Sequence, residues 1–272
     1  RQEQVAPSMI SSVLTVSMPV PGLPLTTVDG KPYAWGTWGS PVAKVSEGGD
    51  NRLSVSAFSV SETLNWTLTD WLTANANVGY NTSTATRNQV ENAITYYNYL
   101  GDVQTLVDPI QANSSYKQTS SRTDFYSVTG FLNAHKTFNQ DHDLSLTLGA
   151  QYEFKEYTYF GAKVKDTQNG LEIVNGSGEI TLSGDEDKYQ NANMSYFGRF
   201  NYSYKDKYLL EVNGRYDGSS KFQPENRWDL FYGASLGWRI KQENFMQNID
   251  WLSDLKLRVS YAEMGNQSGI AN

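Results

Sequence analysis

From residue 52 onward the chain alternates apolar and polar positions. In Leu144 to Phe154, LSLTLGAQYEF, the apolar positions Leu144, Leu146, Leu148, Ala150, Tyr152 and Phe154 fall on one side and Ser145, Thr147, Gly149, Gln151 and Glu153 on the other. Side chains of a strand point alternately to its two faces, so this is a ribbon with one apolar and one wetted face. The same pattern recurs at Phe58–Leu68, Leu72–Tyr80, Tyr126–Ala134, Tyr196–Tyr204, Tyr208–Tyr216, Tyr232–Ile240 and Leu255–Tyr261. The spacing therefore predicts about eight strands. Short turns near Asp70, Asp141 and Asp206 alternate with long polar loops over 81–119 and 166–188. A helix of more than a turn or two is suggested only over Gln242–Trp251, so bundles and α/β folds are set aside.

The first fifty residues break the pattern. They hold six of the eight prolines, Pro7, Pro19, Pro21, Pro24, Pro32 and Pro41, with turn signals at Asp29-Gly30 and Gly48-Gly49. Proline cannot donate to a central ladder, so this stretch reads as loop with short extended pieces. Two segments are thus expected, a proline-rich one over 1–50 and a β-rich one over 51–272.

A soluble sandwich also alternates, so the environment of the apolar face needs further evidence. Aromatic residues concentrate near strand ends on that face: Tyr80, Tyr152, Phe154, Tyr202, Tyr204, Tyr208, Tyr216, Tyr232, Trp238 and Tyr261. Rings at both edges of an apolar band form the girdles of an outer-membrane barrel. The opposite face carries full charges in mid-strand, Arg199, Glu211, Arg215, Arg239, Lys256 and Arg258, which a packed interior would not tolerate. Short turns alternating with long loops repeat the asymmetry of such barrels. The apolar face is expected to meet lipid, with Leu146, Leu148, Val212, Leu236 and Leu257 outward and Arg199, Arg215, Arg239 and Arg258 inward.

Composition narrows the remaining choices. The mean hydropathy of −0.55 excludes a bundle of spanning helices but not a barrel, whose alternation dilutes apolarity. The net charge of −7 argues against nucleic acid as a partner. Cysteine is absent and histidine numbers two, which removes thiolate chemistry and leaves little for a metal site, so neither metal nor cofactor is expected. The opening RQEQVAPSMI lacks the charged and apolar regions of a secretory leader, so the chain reads as a mature cytosolic protein or as a piece of something longer.

The segment YKDKYLLEVNGRYDGSSKF (Tyr204–Phe222), then ASLGWRI (Ala234–Ile240) and ENFMQNIDWLSDLKLRVSYAEMGNQ (Glu243–Gln267), resembles the SusC/RagA family of TonB-dependent outer-membrane transporters. The match is densest over 196–267; DGKPYAWGTWGSPVA (Asp29–Ala43) and NWTLTDWLTANANVGY (Asn65–Tyr80) resemble the family more weakly. The resemblance implies an all-β fold, an antiparallel transmembrane β-barrel of about 22 strands with an N-terminal plug in its lumen. This chain would supply about eight of those strands and no plug. It also implies location in the outer membrane of a Gram-negative bacterium, and import of an oligosaccharide or peptide ligand. The implied partners are a SusD-like surface lipoprotein and, through parts absent from this chain, the TonB-ExbB-ExbD energy-coupling complex. A small self-standing barrel with a structural or adhesive role is the alternative.

Short turns, and the Gln242–Asp254 connection, are then expected on the periplasmic side. The loops around 89–119, 166–188 and 217–227, with the proline-rich segment, are expected outside the cell. Two aromatic clusters fall there, Tyr33, Trp35 and Trp38 in KPYAWGTWG and Tyr96, Tyr97 and Tyr99 in TYYNYLG. These six are the candidates for contact with substrate or lipoprotein, against the simpler role of packing one loop on another. Asp185, Glu186 and Asp187 offer hard oxygens of the kind calcium takes, but lack the Asp-x-Asp-x-Asp-Gly alternation and read as a solvated loop tip. His135 and His142 lie at a turn with no Gly-x-Ser-x-Gly elbow in the chain, so no catalytic residue is expected.

Overall fold

The computed structural model describes residues 2–4, 24–35, 38–104, 114–167, 172, 179–182, 187–246, 249 and 251–265. In chain order the elements are β1 (Gln2–Gln4), β2 (Ala34–Trp35), β3 (Trp38–Gly39), α1 (Pro41–Glu47), β4 (Asn51–Thr69), β5 (Leu72–Glu91), β6 (Tyr96–Tyr97) and β7 (Val103–Gln104). They continue with β8 (Ser115–Phe138), β9 (His142–Lys165), β10 (Ile180–Leu182), β11 (Asp187–Tyr204), β12 (Tyr208–Ser219), β13 (Trp228–Arg239) and β14 (Lys256–Ala262). A 10-stranded sheet runs β1-β4-β5-β8-β9-β11-β12-β13-β14, with β10 paired to β9. Among the described residues β1 and β14 do not pair, so the sheet is an antiparallel wall and not a closed barrel of eight strands.

The eight alternating stretches all form strands, most run beyond the expected limits, and four of them do so furthest. β5 continues to Glu91, β8 begins at Ser115, β9 continues to Lys165 and β11 begins at Asp187. The added part of β5, NTSTATRNQVE, carries almost no apolar positions. A ladder needs only backbone partners, and a stretch with polar residues on both faces shows no alternation, so the pattern stops before the strand does.

Two differences concern helices. The sequence reading places no helix at α1, although Ser40 before it, Pro41 at its start and Gly48 after it are start and stop signals. Proline at the first helical position gives up only an N–H that would have lacked a partner. Among the described residues of the expected helix over 242–251, the structure has 3-10 turns at Ile240–Gln242 and Asn244–Met246. Glu243 lies between them and explains the break: its Oε1 accepts from the Tyr208 hydroxyl at 2.6 Å and Trp238 Nε1 at 3.2 Å, and its Oε2 from Lys207 Nζ at 3.1 Å. These bonds, the Tyr208 one foremost, lower the carboxyl to about 2. Lys241 Nζ donates to the carbonyls of Met246 and Ile249, at 3.1 and 2.6 Å.

The chain divides into two compact units. The second comprises Phe58–Thr82, Asp124–Glu156 and Tyr189–Asn272. Its cross-strand register lines side chains up in rows. Phe200, Val212, Ala234 and Tyr261 form one row; Tyr202, Leu210, Leu236 and Val259 the next; Tyr204, Tyr208, Trp238 and Leu257 the last. This face is exposed, Leu236 by 63% and Val212 by 43%. The intervening row of Asn201, Glu211, Ser235 and Ser260, with Arg199, Arg215 and Arg258 nearby, lies on the other face. Rings bracket the apolar rows: Tyr216 stacks on Trp228 at 5.0 Å at one end, and Tyr204 on Tyr208 at 6.3 Å at the other. From Trp228 to Trp238 the strand rises about 34 Å, or roughly 26 Å along the normal at ~40° tilt, which matches an apolar band ~25 Å tall.

Three-residue connections, Asn139–Asp141 and Lys205–Lys207, join β8 to β9 and β11 to β12. Asn139 and Gln140, then Lys205 and Asp206, take left-handed φ of 49°, 64°, 51° and 54°. Two consecutive left-handed residues make the hairpin turn whose twist matches the flanking strands. No helix among the described residues is long and apolar enough to cross a membrane.

The first unit comprises Arg1–Ala57, Ser83–Thr123 and Tyr157–Lys188. It has two small cores, Ala34, Ala43, Ile94 and Tyr96 in one and Val90, Tyr116 and Val164 in the other. Gly48-Gly49 brings α1 back to the sheet: Asp50 and Val90 exchange backbone hydrogen bonds of 3.1 and 2.8 Å. Gly49, at φ +110°, has the Val90 carbonyl oxygen 2.1 Å from where a Cβ would stand.

Candidate functional site

The aromatic candidates meet in the first unit. β2 and β3 form a hairpin through Ala34–Gly39 and Trp35–Trp38 pairing, and β6 and β7 form another through Tyr96–Gln104 and Tyr97–Val103. A parallel bridge between Tyr33 and Tyr97 joins the two hairpins, and the Tyr97 amide donates to the Pro32 carbonyl at 2.9 Å. Proline's missing N–H loses nothing here, because its carbonyl makes the link. Tyr33, Trp35, Trp38, Tyr96, Tyr97 and Tyr99 thus sit on two hairpins held side by side.

Strand alternation separates their roles. Tyr96 is 1% exposed and packs among Ala34, Ala43 and Ile94. Its ring lies against Gly39, where a Cβ would come within 2.3 Å of Cζ. Tyr97, one residue on, points to the other face and carries Lys31 Nζ at 4.7 Å from its ring centroid, a cation–π contact. Tyr99 lies at the tip of the hairpin and is 73% exposed, beside exposed Leu100. The tip is fixed from within: Asn98 Oδ1 accepts from the Asp102 amide at 2.8 Å, and Gly101 takes φ +89°. Tyr33 is half-buried. Trp35 and Trp38 are placed by backbone pairing, and their side chains lie outside the described residues.

Polar groups tie the strand ends below these hairpins. Glu91 accepts from Ser115 Oγ at 2.6 Å and from Lys163 Nζ at 3.2 Å, while Gln89 Nε2 donates to its other oxygen at 2.9 Å. Burial raises the Glu91 carboxyl, but the Ser115 and Lys163 interactions together outweigh it and hold it below the usual range. Arg52 bridges Asp50 and Glu172 at 2.7 and 2.6 Å.

The histidines hold other groups at the hairpin turns of the second unit. His135 Nε2 lies 2.8 Å from Asp143 Oδ2, which also accepts from Thr137 Oγ1 at 3.0 Å. His142 Nδ1 pairs with the Tyr202 hydroxyl at 2.7 Å. Asp185, Glu186 and the Asp187 side chain lie outside the described residues; among those described, no three metal-ligating side chains converge. The role of Lys31 is not legible in the sequence, because it depends on Tyr97, far away in the chain. Lys-Pro-Tyr beside the first aromatic cluster was the available signal for Lys31.

Similarity to known proteins follows the same lines. Residues 19–268 match the family model described as TonB dependent receptor-like, beta-barrel. The chain is 48% identical over 79 residues to the TonB-dependent receptor SusC of Bacteroides thetaiotaomicron, covering 29% of this chain and 8% of that protein. It is 35% identical over 139 residues to the TonB-dependent receptor P39 of Formosa agariphila, covering 50% of this chain and 13% of the relative. Among solved structures it superposes on one described as the RagAB peptide transporter with a TM-score of 0.69 at 22% identity, covering 85% of this chain and 25% of that one. The chain therefore spans about a tenth of those curated relatives and a quarter of the solved chain. With its antiparallel wall and its match over nearly all of its length, the chain belongs to the TonB-dependent receptor β-barrel family of outer-membrane transporters.

Proposed function

We propose that this chain is part of the wall of a TonB-dependent importer that takes up glycan or peptide nutrients together with a SusD-like surface lipoprotein. The observation that carries the reading is the family match over residues 19–268, on a sheet with one exposed apolar face and one charged face. In this reading residues 51–272 are barrel wall, the apolar rows meet lipid, and the charged face lines the lumen. Residues 1–50 and the loops around 89–119, 166–188 and 217–227 face the cell exterior. A solved relative titled as a peptide transporter and a curated one named SusC support import of large nutrients as the class.

Tyr33, Tyr97 and Tyr99, with Trp35 and Trp38, then form a surface that meets substrate or lipoprotein, and Tyr96 is the anchor beneath it. Tyrosine rings suit the task because they offer large contact area with few rotatable bonds. The test replaces Tyr97 and Tyr99 with alanine in the full-length protein and measures nutrient uptake and lipoprotein affinity. Both should fall, with Tyr96→Phe leaving them unchanged. Wild-type uptake and affinity in a folded Tyr97→Ala/Tyr99→Ala protein would remove this surface from the mechanism. Uptake that persists without TonB would remove the importer reading itself.

A further inference from the structure

The charged face of the second unit holds a cavity of about 630 Å³ where β12, β13 and the residues after β14 come together. Two phenyl rings, Phe222 and Phe231, lie in its lining, together with Asn213, Arg215, Asp217, Arg227, Asp229 and Glu263. Its size suits a small organic ligand rather than a single ion.

Three features show that the lining is held in place. Phe231 lies against Gly265, where a Cβ would come within 2.3 Å of its ring. Arg215 donates to Asp217 Oδ1 at 2.6 Å, Ser195 Oγ at 2.8 Å and Gln151 Oε1 at 3.3 Å, which fixes its guanidinium against the wall. The Arg227 carbonyl accepts from the Ser219 amide at 3.0 Å, which pins the backbone that carries its side chain. The Arg227 Nε is buried and has no hydrogen-bond partner among the described residues.

We propose that this cavity is a saccharide subsite on the luminal wall, taking a short stretch of neutral oligosaccharide. The carboxylates Asp217, Asp229 and Glu263 outnumber the guanidiniums Arg215 and Arg227, which disfavours a polyanion. Donors and acceptors share the lining, and a sugar hydroxyl both donates and accepts. The phenyl faces supply the apolar platform that the C–H face of a pyranose requires. The subsite deepens the importer reading and rests on it for its luminal placement and for the direction of transport.

The test uses the full-length transporter in detergent, with calorimetric titration of maltohexaose, cellohexaose and xylohexaose, an alanine–glycine hexapeptide, and trigalacturonate. At least one neutral hexasaccharide should bind. Phe231→Ala should weaken it about tenfold and Arg227→Gln several-fold, while Phe231→Trp, which keeps a ring, stays within about threefold. Heat-modifiable migration on gels checks that each variant is folded. Peptide or galacturonate binding in place of neutral sugar overturns the assignment of class. Absence of saccharide binding in the wild type, or wild-type affinity in folded Phe231→Ala and Arg227→Gln, overturns the subsite. Binding in detergent needs no energy source, so these outcomes are separate from the uptake experiments that test import.

Discussion

Val212 lies four residues from Tyr208 and four from Tyr216, in the row of Phe200, Ala234 and Tyr261. Tyr208 belongs to the row of Trp238, and Tyr216 stacks on Trp228, so Val212 sits midway between the aromatic belts. Arginine at the middle of a bilayer costs a barrel about 2–4 kcal/mol, falling to about 0–1 kcal/mol near the interfaces. Val212→Arg should therefore lower the folding constant by about two orders of magnitude for a loss near 3 kcal/mol. Leu230, directly opposite Tyr216, is at belt level, and Leu230→Arg should cost about 1 kcal/mol or less. Asn201 is on the charged face opposite Glu211, and Asn201→Arg should change stability by about 0.5 kcal/mol at most. The assay is reversible urea unfolding of the full-length protein in phospholipid vesicles, followed by tryptophan fluorescence. Equal costs for Val212→Arg and Asn201→Arg, or a larger cost at Leu230 than at Val212, would refute the assignment of the apolar rows to lipid.

Glu243 makes the β13–β14 connection sensitive to acid. Its carboxyl is lowered from 4.5 to about 2, chiefly by the Tyr208 hydrogen bond, so its contribution is complete above pH 4.5 and is lost as the pH falls toward 2. Hydrogen exchange over 240–255 should accelerate across that window in the wild type, and Glu243→Gln should flatten the response; an unchanged pH profile would contradict it. Gly39→Ala should destabilise the first unit by about 1–3 kcal/mol, since the new methyl meets the enclosed Tyr96 ring. Limited proteolysis after residue 24 reads that loss, and Gly39→Ala with Tyr96→Leu should recover part of it.

The sequence made the apolar face legible wherever a strand has one wet and one apolar side, as at Leu144–Phe154 and Tyr208–Tyr216. It fell short where both sides carry polar residues: the composition of Asn81–Glu91 reads as loop, although backbone pairing makes it strand. α1 carried its signals in Ser40-Pro41 and Gly48, but a helix of 7 residues among prolines is too short to show a periodicity. Within TYYNYLG the aromatic cluster was visible, whereas the division between enclosed Tyr96 and outward Tyr97 depends on which face of a two-residue strand meets Ala34 and Ile94. The Arg227–Phe231 cavity was out of reach, because it depends on register across strands and on the approach of Phe231 to Gly265.

The tight turns at Asn139–Asp141 and Lys205–Lys207 have a kinetic consequence. Each brings its strands together after closing a very short loop, so β8–β9 and β11–β12 are hairpins that zip from a local nucleus. A paired hairpin leaves only its two outer edges to be satisfied, whereas a lone strand in hydrocarbon leaves every backbone amide exposed. Assembly into the membrane should therefore advance two strands at a time. Replacing Lys205-Asp206 with Asn-Gly, which enters the same left-handed turn more readily, should speed insertion without altering the finished wall.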